Sequence, residues 1–222
     1  KLREEDQRIR EEMGALLVRS GWGNESARQL AAWDPYNQNV SSGWFDPEWM
    51  FGIEDGFDVV IGNPPYVDSE SMVKHFPNLR EMLSKQFKTT KGNWDLYIAF
   101  FEKAFDLLKP EGYSTYITPN KWLSAPYGTE LRKFFYKVSQ SIVSCAKIKV
   151  FEAGNTPIIF AFGKPNRNIS ILEYDENWLL HHKALMNKSY LSTDNWGLLL
   201  SENIDIINKV NAFPNRIKNM CS

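Results

Sequence analysis

Residues 57–66 read Phe-Asp-Val-Val-Ile-Gly-Asn-Pro-Pro-Tyr, and the last four of them could do chemistry. An amino group on an aromatic base is a poor nucleophile, because its lone pair is delocalised into the ring. Two acceptors that take both N–H bonds draw the nitrogen towards tetrahedral geometry and localise that pair. The carboxamide oxygen of Asn63 can be one acceptor and the carbonyl of Pro64 the other. Proline holds φ at about −65° and has no N–H, and a residue before proline is kept extended. The Pro64–Pro65 step therefore fixes that carbonyl. Tyr66 offers a ring to stack on a base, an interaction worth roughly 1–3 kcal/mol per base. Asn-Pro or Pro-Pro alone would mean only a Pro-rich turn. All four residues directly after the apolar run Phe57, Val59, Val60 and Ile61, which reads as a buried strand, point to a grip on a flat molecule bearing an amino group.

The run 58–66 resembles the catalytic motif of amino-group methyltransferases that use S-adenosylmethionine. Such enzymes act on adenine in DNA, on a glutamine side chain of release factors, or on guanine in ribosomal RNA. The rest of the chain must choose among them.

Charge is distributed unevenly. The net charge is −1. Residues 1–70 hold 6 Lys/Arg against 14 Asp/Glu, residues 71–150 hold 13 against 6, and residues 151–222 hold 7 of each. The basic third follows the Asn-Pro-Pro-Tyr turn directly. Its clearest cluster is Lys85, Lys88 and Lys91, interleaved with Thr89, Thr90, Gly92 and Asn93. It reads either as a flexible basic loop for DNA phosphates or as a solvated surface loop. Its position favours DNA.

The elements that must position these residues follow from periodicity. Apolar residues at 2, 9, 13, 16 and 17 predict a helix over 2–20. Residues 33–56, rich in Trp, Pro, Gly and Asn, read as an irregular lead-in. A short helix is expected over 72–86. Asn93 is placed to cap a helix over 94–109, whose apolar positions 97, 98, 101, 104, 105 and 108 form one face and which Pro110 and Gly112 stop. A buried strand over 113–118, a helix over 121–138 with Leu131, Phe134 and Phe135 inward, strands over 142–150 and 157–162, and a further strand over 169–174 follow. That order predicts an α/β fold with a mainly parallel sheet and an antiparallel terminal strand pair. Residues 1–56 are then a helix and lead-in, 57–175 the catalytic half of a methyltransferase domain, and 176–222 a connector, with a helix expected near 203–212.

The order of elements matches the second half of the Rossmann-like methyltransferase sheet. From about 44 to 164 the chain resembles adenine-specific DNA methyltransferases of restriction–modification systems, including those fused to a nuclease. Asp-Leu-Tyr (95–97), Lys-Pro-Glu-Gly (109–112), Thr-Pro-Asn (118–120) and Leu-Arg (131–132) carry that resemblance. The glutamine and ribosomal-RNA groups usually lack a basic loop joined to an Asp-Leu-Tyr helix.

The resemblance implies methyl transfer from S-adenosyl-L-methionine to the N6 amino group of an adenine flipped out of double-stranded DNA. It implies that Asn63, Pro64, Pro65 and Tyr66 are catalytic, that Tyr66 and Phe151 hold the base, and that Asn63, Pro65 and Phe100 face the cofactor. An ordinary core Phe remains the alternative for Phe151, and core packing for Phe100. The glycine-rich turn that holds most of the cofactor is not in the sequence, and the target-recognition region would lie beyond residue 222. The chain is therefore expected to be part of a larger prokaryotic, cytoplasmic enzyme, inactive alone and completed by the remainder of that enzyme. Open alternatives are a protein-glutamine or RNA methyltransferase and a non-catalytic DNA-binding or assembly module. An amino-cytosine enzyme fits less well, since those more often carry Ser where Asn63 stands. No apolar run reaches the roughly 18 residues of a membrane span. Cys145 and Cys221 lack metal-type spacing and read as reduced thiols. The adjacent His181 and His182 would point apart, so no metal is expected.

Overall fold

The computed structural model describes residues 2–34, 36–37, 45–150, 156–191, 195–201, 203–204, 206 and 209. The chain divides into two units, Lys1–Glu54 and Asp55–Ser222.

The first unit contains α1 (Leu2–Arg19), α2 (Asn24–Ala32) and α3 (Pro47–Phe51). The predicted first helix is found, and none of its residues is fully buried. Ion pairs along it join Arg8 to Glu5 (2.7 Å) and Glu12 (2.5 Å), and Arg10 to Asp6. Each such exposed pair adds only about 0.3–0.5 kcal/mol. Packing comes from α2, which buries Ala27 and Leu30. The irregular lead-in contains α3, which the Trp and Pro content had masked.

The second unit is built on a six-stranded sheet of order β1-β2-β4-β3-β5-β6, with β1 Phe57–Gly62, β2 Leu108–Pro119, β3 Ser139–Ser144, β4 Pro157–Phe162, β5 Asn168–Tyr174 and β6 Leu180–Asn187. β1 pairs parallel with β2, and β3 parallel with β5. β4 runs antiparallel between β2 and β3, and β6 antiparallel to β5. The α/β class and the mixed sheet are as the element order predicts. The antiparallel β3–β4 pair lies inside the sheet, because β5 and β6 extend it. The carboxyl ends of β1, β2, β3 and β5 therefore share one edge. β6 and Trp196 belong to the stretch expected as a connector, and Trp196 is fully buried against Trp122 and Phe160, at 6.0 and 6.3 Å between ring centroids.

The helices of this unit are α4 (Ser69–His75), α5 (Pro77–Gln86), α6 (Tyr97–Asp106) and α7 (Thr129–Phe135). The core forms where α6 lies on the sheet. Phe101 of α6 is fully sealed, with the rings of Tyr116, Trp122, Phe135, Phe160 and Phe162 at 5.5–6.0 Å. Burying a ring of this size stabilises by about 1.5–3 kcal/mol, so this cluster fixes α6 against β2 and β4.

Several expectations are corrected. The stretch 72–86 is two helices, because Pro77 keeps Phe76 out of helical geometry. The long helix starts at Tyr97 and not after Asn93, which caps nothing; Asp95 and Leu96 are engaged elsewhere, as described below. It ends at Asp106, so Pro110 and Gly112 do not stop it but lie inside β2. There the register jumps from Phe57↔Leu108 to Val59↔Tyr113, a bulge that tolerates Pro. The helix expected over 121–138 is two single turns, Asn120–Leu123 and Pro126–Gly128, followed by α7. Leu131 and Phe135 are buried and Phe134 half-buried. Arg132, fully buried, donates to the Trp122 and Ala125 carbonyls. A Cβ on Gly128 would lie 2.0 Å from the Trp122 carbonyl oxygen, so this packed turn admits only glycine. The strand expected over 142–150 ends at Ser144. β1 is not buried as predicted: Val59 and Ile61 are 57% and 74% exposed, because β1 is an edge strand whose second face nothing covers among the described residues. Most of 203–212 lies outside the described residues.

Candidate active site

At the tip of β1, Asn63 is exposed, Pro64 buried, Pro65 exposed and Tyr66 half-buried. Close approach sets the preceding residue. A Cβ on Gly62 would lie 2.6 Å from Cε1 of Tyr116, whose ring is packed under the turn. The Tyr66 hydroxyl donates to the Ile117 carbonyl at the end of β2 (3.2 Å), and its ring meets Tyr97 edge-on at 6.3 Å. Burial pushes the Tyr66 phenol above its ordinary pKa. It is a neutral anchor at physiological pH, not a base.

Asp95, Leu96 and Tyr97 each hold the segment that follows the turn. The Ser69 N–H donates to Asp95 Oδ1 (3.1 Å) and the Leu96 N–H to the Val67 carbonyl (2.9 Å), while Tyr97 supports the Tyr66 ring. The Tyr127 hydroxyl donates to Asp95 Oδ2 (3.2 Å), so Tyr97, whose oxygen lies 2.7 Å from that of Tyr127, donates to Tyr127. Burial raises the Asp95 carboxyl above its ordinary pKa, against the pull of the Ser69 and Tyr127 hydrogen bonds and the charge of Lys121. Tyr127, also buried, is pushed up to about 12. Asp68 caps α4 by accepting from the Ser71 N–H (2.7 Å), which lowers its pKa. Asp68, Ser69, Glu70, Val73, Asn93 and Asp95 line an open hollow of about 570 Å³ beside the turn, within the size range of ligand clefts. Asn63 is outside that lining.

The basic loop is not the flexible one expected. Glu102, 5% exposed on α6, accepts from the Lys88 N–H (3.0 Å), the Thr89 N–H (2.8 Å) and the Thr89 hydroxyl (2.8 Å). At the far end Arg80 donates to the Gly92 and Trp94 carbonyls (2.9 and 3.0 Å) and lies 4.6 Å over the Trp94 ring. Thr89 and Thr90 are buried. Lys88 and Lys91 are exposed and make no ion pair among the described residues. Lys85 belongs to α5 and pairs with Glu81 at 2.6 Å. Sequence reading missed Arg80, Glu102 and Tyr127. Glu102 left a trace, a charge four residues from Ile98 on a helix face that is otherwise apolar.

Phe100 is 38% exposed between buried Ala99 and Phe101. Phe151 lies outside the described residues. His181 Nδ1 sits 3.2 Å from Glu173, and no group of residues able to hold a metal occurs among the described residues. Cys145 is free and buried.

The strand tip carries an exposed amide, an adjoining carbonyl fixed between prolines and an anchored ring, all at the carboxyl edge of an α/β sheet, where ligands of such folds bind. A model of the family described as Eco57I restriction-modification methylase matches residues 27–151, more than half of the chain. The chain belongs to that family. The type II restriction enzyme and methyltransferase RM.Eco57I of Escherichia coli is 31% identical over 153 residues, 64% of this chain and 15% of its own length. The type II methyltransferase M.XhoI of Xanthomonas vasicola is 40% identical over 83 residues, 37% of this chain and 15% of its own. The chain thus spans about 15% of the length of these relatives. Among solved structures, the type IIL restriction-modification enzyme MmeI in complex with DNA aligns over 58% of this chain and 18% of its own, at 17% identity and a TM-score of 0.46. That family is one of methylases, which implies S-adenosylmethionine as the methyl donor. No helix among the described residues is long and apolar enough to cross a membrane.

Proposed function

We propose that these residues form the catalytic half of a DNA methyltransferase that modifies the N6 amino group of adenine within a prokaryotic restriction–modification system. The observation that carries this reading is the exposed Asn63 amide on the buried Pro64, with Tyr66 anchored behind them. Asn63 Oδ1 and the Pro64 carbonyl accept the two N–H bonds of a flipped adenine. Tyr66 supports the base from one face and Phe151 from the other, which offsets the few kcal/mol of unstacking. S-adenosylmethionine supplies an electrophilic methyl group. Asn63, Pro65 and Phe100, each exposed, would be the residues of this chain that face it. With that cofactor bound, the localised nitrogen lone pair would be set to attack the methyl carbon in line as the S–CH3 bond breaks and S-adenosylhomocysteine leaves, the surplus N6 proton passing to solvent. No enzyme nucleophile is required, so the buried Cys145 has no part. Lys88 and Lys91 are the phosphate contacts, with Lys85 weakened by Glu81. The remainder of the enzyme supplies the glycine-rich cofactor turn and the reading of DNA sequence.

The test is methyl transfer by the full-length protein to DNA, RNA and release factor, with the product identified by mass spectrometry. N6-methyladenine in DNA alone is expected. Asn63→Ala should lower the rate about a hundredfold or more, the scale on which one preorganised hydrogen-bonding group acts, with the fold intact. The 222-residue chain alone should give no transfer. Full activity of Asn63→Ala, or methylation of RNA or release factor in place of DNA, would refute the assignment.

A further inference from the structure

The helix pair α4–α5 begins three residues after Tyr66, and around its corner at Phe76 it exposes apolar side chains on both helices. Val73, Phe76, Leu79 and Met82 recur at three-residue intervals and are 58%, 49%, 37% and 52% exposed. Their base is rigid. Met72 is fully buried beneath α4. The Phe76 N–H donates to the Met72 carbonyl (2.9 Å), and the Phe76 carbonyl accepts from the Arg80 N–H (3.0 Å). Arg80 is in turn held by Gly92, Trp94 and the Trp94 ring. Cations flank these side chains: Lys74 precedes Phe76 by two residues, and the exposed Lys88 and Lys91 sit in the loop that Arg80 and Thr90 fasten to α5, while Glu81 of α5 is paired with Lys85. The His75 ring lies edge-on to Phe76 at 6.3 Å.

We propose that this corner is a wedge that enters the base stack of the DNA duplex, with Phe76 as the inserted ring; the inference rests on the adenine-in-DNA reading above. A base stack is apolar inside and bounded by phosphates, and a bare aromatic tip flanked by cations complements both parts. Proteins that open duplexes use such apolar side chains between base steps. Phe76 fills the step that the adenine vacates and keeps it from returning.

The experiment uses the full-length protein. Wild-type modification of unmethylated plasmid first locates the target adenine. Two synthetic duplexes are then compared, one with that adenine paired and one with it opposite a mismatched base, which is already partly unstacked. Phe76→Ala is expected to lower kcat/KM on the paired duplex about ten- to a hundredfold, the scale of one lost ring–base stack, and to stay within about twofold of wild type on the mismatched duplex. Phe76→Trp should retain activity on both. Equal loss on both duplexes would mean that the corner supports the catalytic turn or docks on protein, and would overturn the wedge; so would no loss on either. Absence of N6-methyladenine with the wild-type protein would sink the underlying reading and is distinguishable from both.

Discussion

Replacing Asp95 by Ala should loosen the Asn-Pro-Pro-Tyr turn without touching any residue proposed to meet substrate. Two donors lose their acceptor, the Ser69 N–H at 3.1 Å and the Tyr127 hydroxyl at 3.2 Å. A hydrogen bond to a charged group contributes about 1.5–3 kcal/mol. Both bonds are longer than ideal and the carboxylate is only half-buried, so water takes over part of the loss, and about 2–4 kcal/mol in all is expected. Ser69 sits three residues after Tyr66, so the shift reaches the turn, and a displacement of about 1 Å at a reacting centre is worth roughly a hundredfold in rate. Asp95→Asn behaves differently. Its carbonyl still accepts from Ser69, and its amide can donate to the Tyr127 oxygen, so less than about 1 kcal/mol should be lost. The pH dependence separates the two forms of residue 95. The Asp95 carboxyl is raised by burial, so between its ordinary value and the raised one the native state binds more protons than the unfolded state. Stability from this group therefore falls as pH rises through that window, and Asp95→Asn should flatten the slope. Urea unfolding of the chain from pH 3 to 7, with transfer rates of the full-length protein, reads both effects. Wild-type stability and rate for Asp95→Ala would refute the positioning role.

Two further predictions concern packing and charge. Gly62→Ala places a methyl 2.6 Å from the Tyr116 ring, which is wedged against Phe101 at 5.6 Å and Phe162 at 6.5 Å; overpacking of this kind costs about 1–3 kcal/mol, and a melting temperature equal to wild type would contradict it. Lys188 is 4% exposed, donates to the Lys137 carbonyl (2.8 Å), has no acidic partner among the described residues, and is lowered by burial from 10.5 to about 8. Its ammonium is penalised below pH 8, so the unfolded state binds more protons between pH 8 and 10.5, and stability should rise across that window by at most about 3 kcal/mol. Lys188→Met should abolish the rise, as denaturant titrations at pH 7.5 and 10 would register.

What could be read from the chain alone follows from the range of the interactions. The apolar run before Asn63 and the spacing of Tyr97, Ile98, Phe101, Ala104 and Phe105 are local patterns, and they placed β1 and α6 correctly. Termini were misjudged wherever a distant partner decided them. Asn93 has the chemistry of a cap, yet the helix starts later because Asp95 and Leu96 are bound to residues 67–69. Pro110 looks like a helix stop, yet the chain has already turned into β2 and uses the proline at a bulge. The exposure of Val59 and Ile61 could not be inferred from their apolarity, since burial of an edge strand depends on what covers it. The lysines around residue 88 were legible as charge, but Glu102 and Arg80, which pin their loop, lie 14 and 8 residues away.

The same geometry explains why the motif is spread along the chain. A strand tip alone is a poor platform, because the last residues of an edge strand lack a second neighbour. Here the tip of β1 is tied to one side only, through Tyr66 to Ile117 on β2 and through Val67 and Ser69 to the start of α6. Those two supports share the sealed Phe101 cluster, so a shift of the turn relative to β2 would have to disturb the densest part of the core. Asn63, by contrast, is exposed beyond the last anchored residue of the strand. The segment thus joins a tied underside to a bare upper surface, a combination that suits the proposed transfer: a Pro64 carbonyl held between prolines, and an open side from which a planar substrate and a methyl donor could both approach.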